Sequence, residues 1–270
     1  MHHYLIDERA AKTTSSGQLS RIQSWIKTSR IAGEQLDLKS PQHIIEQVKK
    51  IATGSSAATI VVLGDDLSLD LAISSLLKAD QEGKIPLGYI PLRPNSQSSQ
   101  HLGITDWKQA TVALLKGRRE NFHLLAVEDY AVLSYCSLSP KQSGPSSKQA
   151  ITLTIDQELT VELPTSKLAL TNTSKDPVTE HIQPILIEAT ASQCSDQLLQ
   201  NKQPLITLPS KHNLPSPLAM MLRLKASNIT IETSSPLLLQ GLLQLRPIIQ
   251  VSQLTKQQAL IVSRKRDSLA

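Results

Sequence analysis

Aromatic residues are scarce, at 3% of 270 positions with a single Phe. The core must therefore be built from Leu, Ile, Val and Ala, within an ordinary hydrophobic content of 40%. Interleaved aromatics of the kind that mark an RNA-binding surface are missing, so no nucleic-acid partner is expected. No stretch approaches the roughly 18–20 apolar residues of a membrane span. The opening residues, MHHYLIDERAAK, lack the hydrophobic centre of a signal peptide, and the chain reads as cytoplasmic. Cysteine is almost absent: Cys136 and Cys194 show no metal-ligand spacing, and a disulfide is not expected in a reducing compartment. The histidines (His2, His3, His43, His101, His123, His181 and His212) are scattered without metal spacing.

The length allows one large domain or two ordinary ones. Net charge is +5, part of it local to Lys116-Gly117-Arg118-Arg119 and to Arg264-Lys265-Arg266. Such tracts are either solvated charge or a weak attraction to anionic lipid or nucleic acid.

The most informative stretch is Thr59 to Ile104. Ile60-Val61-Val62-Leu63, three of them β-branched and bounded by Gly64, predicts a strand buried on both faces. A turn, Gly64-Asp65-Asp66-Leu67-Ser68, follows. Leu69, Leu71, Ala72, Ile73, Leu76 and Leu77 then carry a helical apolar pattern. Leu87 to Leu92 is a second buried strand, running into the polar loop Arg93-Pro94-Asn95-Ser96. A turn from strand to helix beside a parallel neighbour is where free backbone N–H groups can meet a phosphate.

The flanks fit a parallel sheet. Tyr4-Leu5-Ile6 predicts a strand ending at Asp7, and Gln18 to Lys27 an amphipathic helix. Ser40-Pro41 starts a second helix, with Ile44, Ile45, Val48 and Ile51 inward. Asp106 to Lys116 predicts a helix closed by Gly117, and Phe122 to Val127 another strand. After about residue 130 the character changes. Residues 137–150, SLSPKQSGPSSKQA, read as a flexible loop. Ile151–Ile155 and Leu159–Leu163 alternate across the turn Asp156-Gln157-Glu158, which predicts a hairpin with one wet face. Ile185–Ile187 and Ile229–Thr233 continue the β theme, residues 194–228 are loop-rich, and Leu218 to Lys225 reads as a short helix. Ala259-Leu260-Ile261-Val262 is a candidate strand returning to the first half. The fold class is thus α/β, a parallel-sheet domain over 1–130 followed by an antiparallel β-sandwich over 131–252, with 253–270 as the returning segment.

Two linked motifs resemble the catalytic domain of diacylglycerol kinases and related bacterial lipid kinases, which share a fold with NAD kinases. Gly64, Asp66 and Ser68 fall on the first Gly, the Asp and the Thr of that family's G-G-D-G-T. Pro86-Leu87-Gly88-Tyr89-Ile90-Pro91-Leu92 and Leu102-Gly103-Ile104 fall without a gap on its P-L-G-I-I-P-L and L-G-I. The resemblance implies ATP-dependent phosphorylation of a lipid hydroxyl, with ATP and Mg²⁺ as cofactors. It implies nucleotide and membrane lipid as partners, a cytoplasmic protein peripheral at the membrane, and a homo-oligomer. The nucleotide-binding positions it implies are Gly64, Asp65, Asp66, Ser68, Arg93 and Asn95.

The residues depart from the family at the chemistry. Asp65 and Leu67 stand where it has glycines, and Asp65 brings negative charge to an anion site. Leu in the left-handed region is costly, so the turn is expected to take another shape. Arg93-Pro94-Asn95-Ser96 replaces G-T-G-N; Arg93 serves either a phosphate or the solvent, and Pro94 removes a backbone donor. At the first strand's end Asp7-Glu8-Arg9 puts two carboxylates where a phosphate loop belongs. Gln240-Gly241-Leu242 matches the family's Asp-Gly-Glu and lacks both carboxylates, so no catalytic base is named. Asp66 is the strongest functional position, and Asp70 reads as an exposed helix residue. Two function classes follow: a lipid kinase of impaired activity, or an inactive relative that binds nucleotide or lipid or serves a structural role.

Overall fold

A computed structural model describes residues 1–14, 16–29, 31, 33–54, 58–79, 81, 84–93, 96–141, 150–163, 165–172, 185–191 and 220–263. The N-terminal half begins with strand β1 (His2–Asp7), helices α1 (Glu8–Lys12) and α2 (Ser16–Thr28), and strand β2 (Gly33–Leu38). Helix α3 (Pro41–Gly54), strand β3 (Thr59–Gly64), helix α4 (Asp66–Lys78) and strand β4 (Leu87–Pro91) follow. Short α5 (Gln97–His101) and α6 (Trp107–Lys116) lead to β5 (Arg119–Val127) and β6 (Tyr130–Val132). The four strands β2, β1, β3 and β4 lie side by side in that order and all run parallel.

The parallel strands explain their own composition. Every residue of β4 is buried, and in β3 all but Thr59 are, as a strand covered by helices on both faces requires. Helix α4 is unusual in being buried almost all round, from Leu67 to Leu76, because α3, β3, β6 and a late strand all pack on it. That burial corrects the sequence reading of Asp70, which is not an exposed helix residue but only 3% exposed.

The second half is antiparallel. Strands β7 (Tyr135–Pro140), β10 (Thr165–Asn172), β11 (Ile185–Ala191), β12 (Met220–Ala226), β14 (Leu237–Leu239) and β15 (Leu243–Gln244) form one sheet. Strands β8 (Ile151–Ile155), β9 (Leu159–Leu163) and β13 (Asn228–Thr233) join β16 (Ile248–Ile261), which carries the first sheet onward. Leu125, Val127, Leu153, Ile231 and Val251 of that sheet bury against Leu138, Leu168, Leu170 and Leu237 of the other, forming the sandwich core. The hairpin β8–β9 turns through Asp156 and Gln157, both at positive φ (48° and 63°). The far end of β16 lies beside β4, with Leu260 opposite Leu87 in parallel.

Two local readings are corrected. Leu218 to Lys225 is not helical where it is described: β12 occupies Met220–Ala226 and pairs antiparallel with β11. Its Leu222-Arg223-Leu224-Lys225 alternates with period two, and that pairing selects the strand. The loop of 137–150 is shorter than expected, since Ser137 to Pro140 belong to β7 and bond to β10 and β14. Residues 142–149, Cys194 and most of 194–228 lie outside the described residues.

Candidate functional site

The order β2-β1-β3 places a topological switch point between β1 and β3: the chain leaves β1 to one side for β2 and returns on the other for β3. Ligands of open parallel sheets bind outside the carboxyl ends of the strands at such a point. Here those ends carry Asp7 of β1 and Gly64 of β3, with Asp65, Asp66 and Ser68 at the start of α4.

Packing at this point is tight. A Cβ on Gly64 would lie 2.7 Å from Ser68 Oγ, 2.8 Å from Ser68 Cβ and 3.3 Å from Asp7 Cβ. Only glycine lets the first turn of α4 close onto the end of β1. Ser68, fully buried, then donates its hydroxyl toward Asp7 Oδ2 at 2.6 Å and Asp65 Oδ1 at 2.8 Å. One hydroxyl hydrogen serves two carboxylates, so only one of these contacts is a full hydrogen bond at a time.

At each helix N-terminus of this edge one of the chain's own aspartates accepts backbone N–H groups. Asp7, 1% exposed, caps α1 by accepting from Arg9 N–H at 2.9 Å. The Arg9 guanidinium grips the same carboxylate twice, Nε at 3.1 Å and Nη2 at 2.7 Å. Asp65 caps α4 by accepting from Ser68 N–H at 3.0 Å. Its φ of −101° is extended backbone, and none of the described positive-φ residues lies between Gly64 and Ser68. The turn is therefore an ordinary Asp-capped helix start, as the replacement of two glycines anticipated.

Helix α5 is capped by Ser96, whose hydroxyl accepts from Ser99 N–H at 2.9 Å, and Asp66 takes the two N–H groups before that one. Its Oδ2 accepts from Gln97 N–H at 3.0 Å, and its Oδ1 from Ser98 N–H at 3.4 Å, from Tyr89 OH at 3.3 Å and from the Ser96 hydroxyl. Tyr89 and Ser96 are site residues the sequence reading missed. A lone Tyr in the apolar run of β4, and a Ser preceding a short helix, were the available signals. Burial, with Asp66 close by, pushes the Tyr89 phenol well above its ordinary range, so it serves as a neutral donor.

Arg93 stands at the mouth, 48% exposed, with Nη2 3.8 Å from Asp65 Oδ2. Asn95 lies outside the described residues. The structure thus brings Gly64, Asp65, Asp66, Ser68 and Arg93 together and adds Asp7, Arg9, Tyr89 and Ser96. Thr14 ties the loop after α1 to the end of β4 through its hydroxyl, 2.7 Å from Leu92 O.

One turn along α4, Asp70 faces the antiparallel half. Its Oδ1 accepts from Leu133 N–H at 3.0 Å and its Oδ2 from the Gln240 amide at 3.2 Å. Gln240 and Gly241, aligned in the sequence with the family's Asp-Gly-Glu, both have positive φ (51° and 73°). Burial drives the Asp70 carboxyl well above its ordinary range, and the charges of Asp66 and Asp65 add to the rise; the Leu133 N–H and Gln240 amide oppose it.

These residues do not fit the phosphates of ATP as they stand. The Ser68 N–H of α4 and the Gln97 and Ser98 N–H groups of α5 are held by Asp65 and Asp66, and two carboxylates line the approach. A unit charge about 4 Å from another of like sign costs on the order of 4 kcal/mol at an effective dielectric constant of about 20. Among the described residues, no three His, Cys, Asp or Glu side chains are grouped to hold a metal ion. No helix among them is long and apolar enough to cross a membrane.

No protein-family model matches the sequence, and no curated protein does. Solved structures do match over nearly the whole chain. A candidate diacylglycerol kinase from Bacillus anthracis str. Sterne aligns with a TM-score of 0.65 and 15% identity, covering 97% of this chain and 96% of that one. A diacylglycerol kinase structure from the same organism aligns at 0.62, with the same identity and coverage. An NAD kinase from Archaeoglobus fulgidus, in complex with ATP, aligns at 0.53 and 12% identity, covering 98% of this chain and 95% of that one. This chain, with its parallel sheet continued by one long strand into an antiparallel sandwich, thus has the fold of these diacylglycerol kinase and NAD kinase structures.

Proposed function

We infer that the protein is a lipid kinase-like protein of the diacylglycerol kinase type in which ATP-dependent phosphoryl transfer to a lipid hydroxyl is impaired. The fold over nearly the full length supports the class. One observation carries the impairment: Asp7, Asp65 and Asp66 accept backbone N–H groups at the starts of α1, α4 and α5 along the switch-point edge. Donors spent on internal carboxylates are not free for a triphosphate, and the carboxylates repel it.

A second reading, binding without turnover, is favoured by Gln240. An amide at the position of the family's carboxylate takes no proton from an acceptor hydroxyl near neutral pH. Its bond to Asp70 gives it a packing role instead.

Thermal denaturation with Mg-ATP tests the cradle. A site filled about a hundredfold above its dissociation constant would add about 2.7 kcal/mol of stability. The expected shift at millimolar Mg-ATP is far smaller. D65G, which removes one charge at little capping cost, should bind Mg-ATP more tightly than the parent. Transfer of labelled phosphate to diacylglycerol in mixed micelles reads the chemistry. Turnover within the roughly 1–100 s⁻¹ of ordinary kinases, abolished by Asp66→Ala, would overturn the impaired reading.

A further inference from the structure

Helix α6 is covered on one side only. Ala110, Ala113 and Leu114 are buried, and Leu114 packs over Gly88 so closely that a Cβ there would come within 2.4 Å of its Cδ2. The outer side carries Lys108, Val112, Leu115 and Lys116, a spacing that puts them on one face. Val112 is 42% and Leu115 46% exposed, and they are the two members of the described exposed large hydrophobics that share a helix.

Positive charge frames that apolar pair. Lys108 lies over the Trp107 ring, 5.9 Å from its centroid. Gly117, left-handed at φ 61°, stops the helix and turns the chain into Arg118 and Arg119. Arg118 is taken by Glu120 at 3.0 Å, while Lys108, Lys116 and Arg119 have no ion pair among the described residues. The acid on this segment, Asp106, is used as the helix N-cap, bonding Gln109 N–H at 2.8 Å.

The last strand ends at the same corner. Ile261 of β16 pairs with Arg119, and Val262 N–H donates to Arg118 O at 3.0 Å. The sequence after Ser263 reads Arg264-Lys265-Arg266-Asp267. Lys108, Lys116 and Arg119 thus flank two exposed aliphatic side chains, and the sequence after Ser263 adds three further basic residues.

We propose that the outer face of α6, with the Gly117–Arg119 corner, docks the protein on an anionic lipid bilayer. Lys108, Lys116 and Arg119 meet headgroup phosphates, and Val112 and Leu115 enter the interface between them. Charge complementarity selects this partner, and the exposed aliphatics favour a bilayer over a nucleic acid, whose bases would stack on exposed aromatics. The assignment does not depend on phosphoryl transfer.

Vesicle flotation with the full chain tests it, using no nucleotide and no diacylglycerol. The protein should bind phosphatidylcholine vesicles containing about a third phosphatidylglycerol, weaken as salt is raised, and bind pure phosphatidylcholine poorly. K108Q/K116Q/R119Q should lose on the order of a hundredfold in partitioning, about fivefold per cation. V112S/L115S should lose severalfold and keep the salt dependence. All five side chains face solvent, so both variants should retain the parental circular dichroism and Tm. Three results would overturn the assignment: no binding to the anionic vesicles, equal binding to neutral ones, or unchanged binding of the glutamine variant. Binding to RNA in preference to anionic vesicles would also overturn it.

Discussion

Gly64→Ala is the smallest change that tests the architecture of the switch point. The added methyl would sit 2.7 Å from Ser68 Oγ and 2.8 Å from Ser68 Cβ, both nearer than non-bonded carbon tolerates, and 3.3 Å from Asp7 Cβ. Gly64 is not at positive φ, so the cost is steric and not torsional. Neither neighbour can swing aside freely. Ser68 is held by Asp7 and Asp65, and Asp7 by two contacts from the Arg9 side chain. The helix must move off the sheet, and overpacking of this kind costs about 1–3 kcal/mol. Taking about 2 kcal/mol, Tm should fall by roughly 4–8 °C for a protein of this size. Urea unfolding should show a lower midpoint with an unchanged slope. G64A/S68A should recover only part of the loss, because the Ser68 Cβ contact at 2.8 Å remains. Gly17, in α2, gives the opposite result: nothing lies within 4 Å of its Cβ position, and G17A should stabilise by about 0.5–1 kcal/mol. Equal Tm values for G64A and the parent, in a scan that resolves the G17A gain, would refute the close approach.

Asp70→Asn should be neutral or stabilising near pH 7–8, since Gln240 can turn its amide to keep the bond. A carboxyl raised in the folded state contributes stability below its unfolded value and loses it as pH rises. The D70N advantage should therefore grow above the ordinary 3.8, by at most about 1.4 kcal/mol per pH unit, until the raised value is passed. Denaturant midpoints across pH 4–8 that run parallel for the two proteins would contradict this. Asn172→Asp should cost about 3 kcal/mol, because the buried Asn172 amide donates to both His123 O and Leu133 O at 2.9 Å and a carboxylate offers neither bond. Urea midpoints within a few tenths of a molar of each other would count against it.

The frame of the site was legible because its signals are local. A β-branched run closed by Gly64, and a second apolar run from Leu87, fixed the two strands, and the alternation of β8 and β9 fixed their hairpin. The unusual shape of the turn was also legible, since Leu67 could not occupy a glycine conformation cheaply. What escaped was set by chain brought from far away. Asp70 looks solvated on a helical wheel, yet β6 and β16, more than 50 residues downstream, cover that side of α4. Tyr89 and Ser96 are unremarkable in sequence and become site residues only when Asp66 turns toward them. Likewise β12 reads equally as helix or strand until β11 supplies its pairing partner.

The 14-residue strand β16 has a consequence for how the protein is made. Its far end is the parallel neighbour that covers β4, an edge of five buried residues, and it is separated from β4 by about 170 residues of chain. At roughly 5–20 residues per second, a ribosome would hold the nascent α/β half open for on the order of 10–30 s with that apolar edge unpaired. Synthesis rate, chaperone supply and the completion of the final strand would then govern the yield of native protein more strongly than its equilibrium stability does.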